Sequence, residues 1–195
     1  ELMQWALKNA FKQLDPKKTR IVLVDPGDRV LRAMPEMLSE AALRSLKNDG
    51  IEILPNGREQ TMRPGELIVG TPNGDVRIQA ATVIWTAGVR ASHLGKKLAE
   101  ATGCEVDRGG RVIVQHDFSI PDHPEIRVAG DLSSYSHTTD GKPLPGMASP
   151  AKQAGTYIGR DIAAIVAERP RPTFQYFDFG SMAVLDRASA VADLR

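Results

Sequence analysis

Four short segments hold the residue types that chemistry needs. Residues 19–25 read TRIVLVD, a run of β-branched and apolar side chains that closes on Asp25. In a doubly wound unit, an acid ending the second strand accepts hydrogen bonds from the 2′ and 3′ hydroxyls of an adenosine ribose, and its charge repels a 2′-phosphate. Asp25 can equally cap its own loop, and the phosphate-binding glycines of such a unit would lie upstream of Glu1. Residues 83–89, VIWTAGV, place Thr86, Ala87 and Gly88 at the end of an expected strand. Small residues there let a flat ligand approach the backbone at the carboxyl edge of an open sheet, although a glycine after a strand also serves as a plain turn.

Residues 126–131, IRVAGD, end on Gly130 and Asp131. A carboxylate held at a strand end accepts a hydrogen bond from a polyol hydroxyl while glycine clears the approach, and the alternative is an aspartate that starts a turn. Residues 145–155, PGMASPAKQAG, lead into a helix opened by Ala148, Ser149, Pro150 and Ala151, with Gln153 one turn in. The small side chains permit close packing of a flat group. The first free N–H groups of the helix stabilise negative charge, such as that at the N1–C2=O edge of a reduced flavin. An ordinary surface helix with a proline near its start is the alternative.

The elements expected to position these residues alternate between helical and strand periodicity. Apolar spacing predicts a helix over 1–14, ended at Asp15-Pro16. The run at 19–25 predicts a central parallel strand buried on both faces. A helix is expected from Pro35 to Gly50, a strand over 51–54, and an antiparallel meander at 67–69 and 76–78 around Asn73-Gly74. Further strands are expected over 81–85, 111–115 and 125–129. The longest helix is expected over 148–168, stopped by Pro170 and Pro172, followed by two strands, 174–179 and 182–185, joined at Gly180-Ser181.

Composition narrows the function. The chain has 195 residues, 25 Lys plus Arg against 24 Asp plus Glu, and a net charge of +1, so no summed field favours nucleic acid. Cys104 is the single cysteine. It forms no internal disulfide, CxxC pair or thiolate metal cluster, and is expected to be a small buried or loop residue in a reducing compartment. His93, His116, His123 and His137 lack paired-ligand spacing, so no metal site is expected. No GxSxG motif is present, which leaves hydrolase chemistry unsupported. Apolar runs of about five residues fall far short of the ~20 that span a bilayer. Lys17-Lys18 and Lys96-Lys97 are expected on solvated faces, and Trp5 and Trp85 in packed positions, with Trp85 close to the TAG segment. The chain starts at Glu1 within an expected helix and stops at Arg195 without a cap, as a segment of a larger protein would.

From end to end the chain resembles type II NADH dehydrogenases within the pyridine-nucleotide:disulfide-oxidoreductase-fold flavoproteins. IVLVD, VIWTAGV, IRVAGD and ASPAKQAG stand in that family's order and spacing, and FDFGSMAVLDRASAV resembles its YxDxGxxAxIGRxxAV segment, with Asp186 in place of a glycine. The resemblance implies an α/β fold, part of a flavoprotein with two Rossmann-like dinucleotide-binding domains and a small antiparallel meander. Residues 1–105 would be the second part of the NADH-binding domain, 106–170 the carboxy-terminal part of the FAD-binding domain, and 171–195 the start of a further domain.

It also implies an enzyme that passes electrons from NADH through FAD to a quinone. Asp25 would bind NADH ribose, Thr86, Ala87 and Gly88 would line the nicotinamide side, and Gly130 and Asp131 would hold the FAD ribityl chain. Ala148, Ser149, Pro150 and Ala151 would meet the flavin, and Ser149 and Gln153 the quinone, with Ser149 standing where the family often has Gln. No side chain is expected to act as a general acid or base, and this stretch by itself is expected to be inactive. NADH and quinone would be its small-molecule partners, in a respiratory enzyme of the cytoplasm or peripheral to the cytoplasmic face of the inner membrane, attached only through segments outside this chain, and able to form a homodimer. The alternatives are another NADH-dependent flavoprotein reductase, of rubredoxin or disulfide type, and a non-catalytic nucleotide-binding fragment.

Overall fold

The structure, a computed structural model, describes residues 19–139, 141–186 and 189–194. The expected helix over 1–14, with Trp5 in it, lies outside the described residues. The chain divides into two compact units, one running to Trp85 and resuming at Gly180, the other spanning Thr86–Phe179.

In the first unit, β1 (Ile21–Val24) leads through α1 (Glu36–Asn48) to β2 (Ile51–Leu54), which pairs parallel with β1 in the register Ile21↔Ile51. Helix α1 ends where Gly50 takes a φ of 75°, a conformation costly for side-chain-bearing residues. Its inner face packs Ala42 against Val30 and Met34, and Ser39 satisfies itself inside by donating to the Val30 carbonyl. The meander comprises three strands, β3 (Arg58–Arg63), β4 (Glu66–Thr71) and β5 (Gly74–Gln79). Asn73-Gly74 turns the second hairpin as expected, with the Thr71 hydroxyl donating to the Gly74 carbonyl. Strand β3 carries no apolar alternation, which is why its sequence, REQTMR, gave no strand signal. Leu67, Val69 and Ile78 press the meander onto Val22, Val24 and Leu54 of the parallel pair.

Three expectations for this unit are corrected. Strand β1 is not buried on both faces: among the described residues β2 is its one ladder partner, and Leu23 is exposed. Residues 81–85 form no strand with any of the described residues, and Ile84 and Trp85 stand exposed rather than buried. The last strand pair is β10 (Gly180–Val184) with β11 (Ala190–Leu194), antiparallel, and not 174–179 with 182–185. Val191 of β11 enters the α1 core, and the Ser45 and Ser189 hydroxyls meet at 3.2 Å, so this hairpin belongs with the first unit.

The second unit opens with α2 (Leu94–Thr102), capped by Gly103 in the left-handed region at φ 76°. Short strands come next: β6 (Val112–Ile113) pairs parallel with β9 (Ser133–Ser134), and β7 (Ser119–Ile120) pairs antiparallel with β8 (His123–Arg127). The 19-residue α3 (Ala148–Val166) closes the unit, followed by an extended stretch to Phe179. Val112, Val114, Ile120, Val128 and Ala154 form the core with an aromatic cluster in which Phe118 stacks on Tyr135 at 4.4 Å and Phe174 lies edge-on to Phe118 at 4.8 Å. Cys104 is buried in this core. Because α2 packs Leu98 and Ala99 there, residues 86–105 join the segment after them. The compact units therefore divide at Trp85/Thr86 and Phe179/Gly180, away from the expected boundaries at 105/106 and 170/171.

Two acids and two arginines are buried or half-buried together in this second unit. Arg171 donates from Nε to Asp161 Oδ1 and from Nη2 to Asp161 Oδ2, both at 2.7 Å, and its Nη2 also reaches Asp117 Oδ2 at 2.7 Å. Arg127 Nη2 donates to Asp161 Oδ2 at 3.3 Å, and its Nη1 lies 3.2 Å from Asp117 Oδ2 without hydrogen-bond alignment. Asp161 has no exposed surface at all. Burial pushes the Asp117 carboxyl up, but hydrogen bonds from Ser119 and Arg171 with the charge of Arg127 overcome it and hold the group well below the usual carboxylate range. Its contribution to stability is complete above the ordinary aspartate pKa of about 4 and disappears as pH falls through the lowered native value. The urea midpoint is therefore expected to fall steeply below about pH 4, with a shallower acid limb in Asp117→Asn. Arg171→Ala is expected to cost about 3 kcal/mol, the low end for breaking a buried pair because this guanidinium is half exposed. Equilibrium urea unfolding checks both, and a loss under 1 kcal/mol would contradict the second.

Candidate functional site

A cavity of about 420 Å³ opens in the second unit. Its wall combines Val89, Ala91, Gly109 and Arg111 with Phe118, Gly130, Asp131, Ser133, Gly146 and the first turns of α3 at Pro150, Ala151 and Ala154. Strand β8 ends before Gly130, whose φ of 68° turns the chain into a short 3₁₀ turn, Gly130–Leu132, carrying Asp131. Glycine suits that conformation because a Cβ there is strained, and one placed on Gly130 would stand 3.5 Å from the Ala151 Cβ. A Cβ on Gly146 would sit 3.4 Å from Asp131 Oδ1 and shield that carboxylate. The two glycines keep Asp131 accessible as a hydrogen-bond acceptor.

Helix α3 reaches this cavity with its amino-terminal end. Its N-cap, Met147, offers no side-chain bond, and Pro150 has no N–H to lose, so the amide groups of the first turn remain available to a ligand or to water. On the opposite rim, Asp107 organises the Gly109 turn: Oδ1 accepts from the Gly109 and Arg111 amides at 2.8 and 2.9 Å, and Oδ2 from Arg111 Nε at 2.7 Å. Partial burial raises the Asp107 carboxyl, while these donors and the guanidinium lower it further, for a net shift below its usual range. Phe118 forms the floor with a φ of 64°, uncommon for an aromatic residue, held by its stack on Tyr135 and by the Val128 amide donating to its carbonyl.

The structure brings Gly130, Asp131, Pro150 and Ala151 together on this one cavity, and Ala148 and Ser149 belong to the same helical turn. Thr86, Ala87 and Gly88 are exposed and do not line it, although Val89 and Ala91, just beyond, do. Gly88 adopts φ 79°, so the TAG segment ends in a turn and not in a strand. Asp25 lies in the other unit, directly after β1. Its Oδ1 accepts the Gly27 amide at 2.7 Å, which realises the loop-capping role while leaving Oδ2 uncommitted. Gln153 uses its amide on the backbone of Phe177, donating to the carbonyl and accepting from the N–H, each at 2.9 Å, and donates also to Ser149 Oγ at 3.1 Å.

Sequence reasoning missed Arg111 and Phe118 as cavity residues, and the charged set of Asp117, Arg127, Asp161 and Arg171. One signal was available: Ala154, Tyr157 and Asp161 are spaced at i, i+3 and i+7 on the buried face of α3, so an acid occupied a core position. No group of His, Cys, Asp and Glu suited to a metal ion occurs among the described residues.

A βαβ unit with a strand-ending acid and a separate cavity lined by a glycine-aspartate turn and headed by a helix N-terminus define an α/β nucleotide-binding class. Comparison with known proteins specifies it. Residues 6–155 match the pyridine nucleotide-disulphide oxidoreductase family, and the chain belongs to that family. It is 38% identical over 198 residues to the type II NADH:quinone oxidoreductase Ndh of Mycobacterium tuberculosis, covering all of this chain and 42% of that protein. With the type II NADH:quinone oxidoreductase of Haemophilus influenzae it shares 29% identity over 184 residues, 94% of this chain and 40% of the relative. The chain thus spans about two fifths of the length of these curated relatives. Among solved structures, NDH2 of Plasmodium falciparum in complex with NADH superposes with a TM-score of 0.80 at 14% identity, over 92% of this chain and 50% of that one. An NAD-dependent persulfide reductase from A. fulgidus gives 0.67 at 19%, over 86% and 30%. Both are likenesses of fold.

The Asp107 hub yields a direct test. Asp107→Ala strands three donors at the cavity rim and is expected to lower stability by about 1–3 kcal/mol in urea unfolding, whereas an unchanged midpoint would show that water replaces the carboxylate fully.

Proposed function

We propose that the natural polypeptide carrying this chain is a type II NADH:quinone oxidoreductase, an FAD-dependent enzyme that oxidises NADH and reduces a quinone. The observation that carries this reading is the convergence of the AGD turn and the ASPAKQAG helix start on one glycine-cleared cavity, in a chain 38% identical to a protein of that name. The residues present fit the cofactor: an accessible carboxylate for hydroxyl groups, available amides at a helix N-terminus for a negative edge, and a volume within the ~300–1,000 Å³ of small-molecule sites.

FAD, when bound, supplies the two-electron chemistry between nicotinamide and quinone, which is why no general acid or base is needed from the protein. Asp131 accepts from a hydroxyl of its ribityl chain, with Gly130 and Gly146 keeping the path clear. The amide groups at Ala148 and Ser149 stabilise negative charge, and Pro150 and Ala151 present a small, flat packing surface. Asp25 accepts from the NADH ribose hydroxyls through the oxygen that Gly27 leaves uncommitted, and repels the 2′-phosphate of NADPH. Thr86, Ala87 and Gly88 supply an exposed segment for the nicotinamide side. The surface containing Ser149 and Gln153 is the quinone side. Residues up to 105 serve NADH, apart from Val89 and Ala91 on the wall of the FAD cavity, 106–170 serve FAD, and 171–195 begin a further segment.

No helix among the described residues is long and apolar enough to cross a membrane. A quinone dissolved in lipid calls for peripheral attachment at the cytoplasmic face of the inner membrane through other segments, and a homodimer is the assembly to test by sedimentation. The likeness to a persulfide reductase raises a second reading, a reductase for a sulfur substrate or for rubredoxin. The thiol in this chain, Cys104, is buried in the core and serves neither.

The natural polypeptide is expected to purify with a flavin absorbance that NADH bleaches and an added quinone restores. A bleached flavin that quinones leave reduced would move the assignment to the other reductases, and the absence of flavin would favour a non-catalytic role. Asp25→Ala is expected to raise the KM for NADH about tenfold, the loss of a hydrogen bond to a charged group, and to narrow the preference over NADPH. Steady-state kinetics with both nucleotides checks it.

A further inference from the structure

The loop that follows β1 holds a cation beside the acid that ends the strand. Asp25 Oδ1 accepts the Gly27 amide at 2.7 Å, and the Gly27 carbonyl accepts the Asn56 amide at 2.7 Å, so the backbone at Gly27 is held on both sides. The side chain of Arg32 lies directly over that glycine. A Cβ placed on Gly27 would stand 2.8 Å from the guanidinium carbon of Arg32 and closer still to its Cδ and Nε, so the missing side chain at 27 is what lets the arginine settle there. Gly27 is buried, while Arg32 is exposed.

The two arginines of this loop are in different conditions. Arg29 spends its guanidinium on the loop itself, donating to the Met34 and Arg32 carbonyls at 3.1 Å each, and so fixes the backbone from which Arg32 projects. The five N–H groups of Arg32 meet no acceptor among the described residues, and no carboxylate there, Asp25 included, forms an ion pair with it. Asp25 and Arg32 thus both contact Gly27 without neutralising each other. One ligand at this spot meets a carboxylate oxygen and a guanidinium together. In nucleotide-binding units of this kind, an acid at the strand end takes the ribose hydroxyls of NADH, whereas a nearby arginine accommodates the 2′-phosphate of NADPH. The planar fork of a guanidinium matches a phosphate well. Here the two devices stand side by side.

We propose that Arg32 is a second specificity residue of the nucleotide site, which donates to a phosphate on the ribose 2′ oxygen and so lets the protein bind NADPH beside its preferred NADH. Asp25 sets the penalty against that phosphate and Arg32 offsets part of it. This rests on the reading of Asp25 as the acid that takes the nucleotide ribose, and deepens it by naming the cation that acts against it. It also gives Gly27 a role: any side chain there would push the guanidinium away from the acid.

The test is titration calorimetry on the natural polypeptide with adenosine 5′-monophosphate and adenosine 2′,5′-bisphosphate, in the wild type, Arg32→Gln, Arg32→Lys, Asp25→Ala and the double variant Asp25→Ala/Arg32→Gln. Loss of a charge-assisted hydrogen bond is expected to weaken the bisphosphate about tenfold in Arg32→Gln and to leave the monophosphate unchanged. Arg32→Lys, which keeps the charge and loses the fork, should fall between. In Asp25→Ala the monophosphate is expected to weaken and the bisphosphate to gain on it, and the double variant should lose that gain. Added salt should weaken the bisphosphate more steeply in the wild type than in Arg32→Gln. Equal weakening of both nucleotides in Arg32→Gln would overturn the proposal by giving the arginine a structural role alone, and an unchanged bisphosphate affinity would overturn it by leaving the phosphate without this partner. The ribose reading is judged separately: a monophosphate affinity unmoved in Asp25→Ala would overturn it, while the difference between the two nucleotides would still judge Arg32.

Discussion

Asp161 sits on the buried face of a helix with none of its surface in contact with solvent, and much of the second unit depends on how that charge is compensated. A carboxylate in such a place is tolerated only with opposite charge and hydrogen bonds at close range, and Arg171 supplies both through a two-point fork, supported by Arg127. Arg171 also reaches Asp117, so one cation joins the loop before β7, the α3 helix and the stretch after that helix. A wholly apolar contact of the same size would hold these elements with less angular preference. The charged set fixes the rotation of α3 about its axis, since turning the helix would leave Asp161 without its partners.

That rotation decides what the amino-terminal end of α3 presents. With Asp161, Tyr157 and Ala154 turned inward, Pro150 and Ala151 fall on the cavity wall beside Gly130 and Asp131. Asp117 contributes at its other side too, because the next residue, Phe118, takes an unusual backbone conformation to reach the cavity floor while Asp117 points into the charged set. The site and the ion pairs are thus two ends of the same helix and two neighbours on the same loop. The first unit works by a simpler rule: a parallel strand pair, a crossover helix and a strand-ending Asp25, with the meander and the β10–β11 hairpin covering apolar surface that the pair alone would leave open.

The stretch after α3 shows how a segment without secondary structure is nevertheless placed. Arg171, Phe174 and Gln153 hold it by charge, by aromatic packing and by an amide that imitates a strand neighbour. Its alternation of apolar and polar residues reads as a strand because the alternation is real, yet it forms no strand with the described residues. Periodicity reports which faces are apolar and says nothing of whether another backbone will stand alongside. The same reason accounts for the exposed stretch through Trp85 and for β1, whose apolar run is legible as a strand but whose second face is covered only in part.

The sequence by itself determined the elements whose signals are local. These are α1 with its glycine stop, β2, the turn at Asn73-Gly74 and α3 with its proline stops, together with the chemical character of Asp25, Asp131 and the α3 entry. Caps, turns and short-range periodicity are decided within a few residues, so they can be read from a few residues. Tertiary structure alone decided that 86–105 packs with the core of the second unit, that β11 returns to α1, and that Arg111 and Phe118 join the cavity. It alone decided as well that four charges distributed from 117 to 171 neutralise one another, and that Gln153 spends its amide on a backbone 24 residues away. Each of these depends on which distant groups the fold brings within hydrogen-bond or contact distance, and charge compensation between residues far apart in the chain leaves no pattern in either neighbourhood.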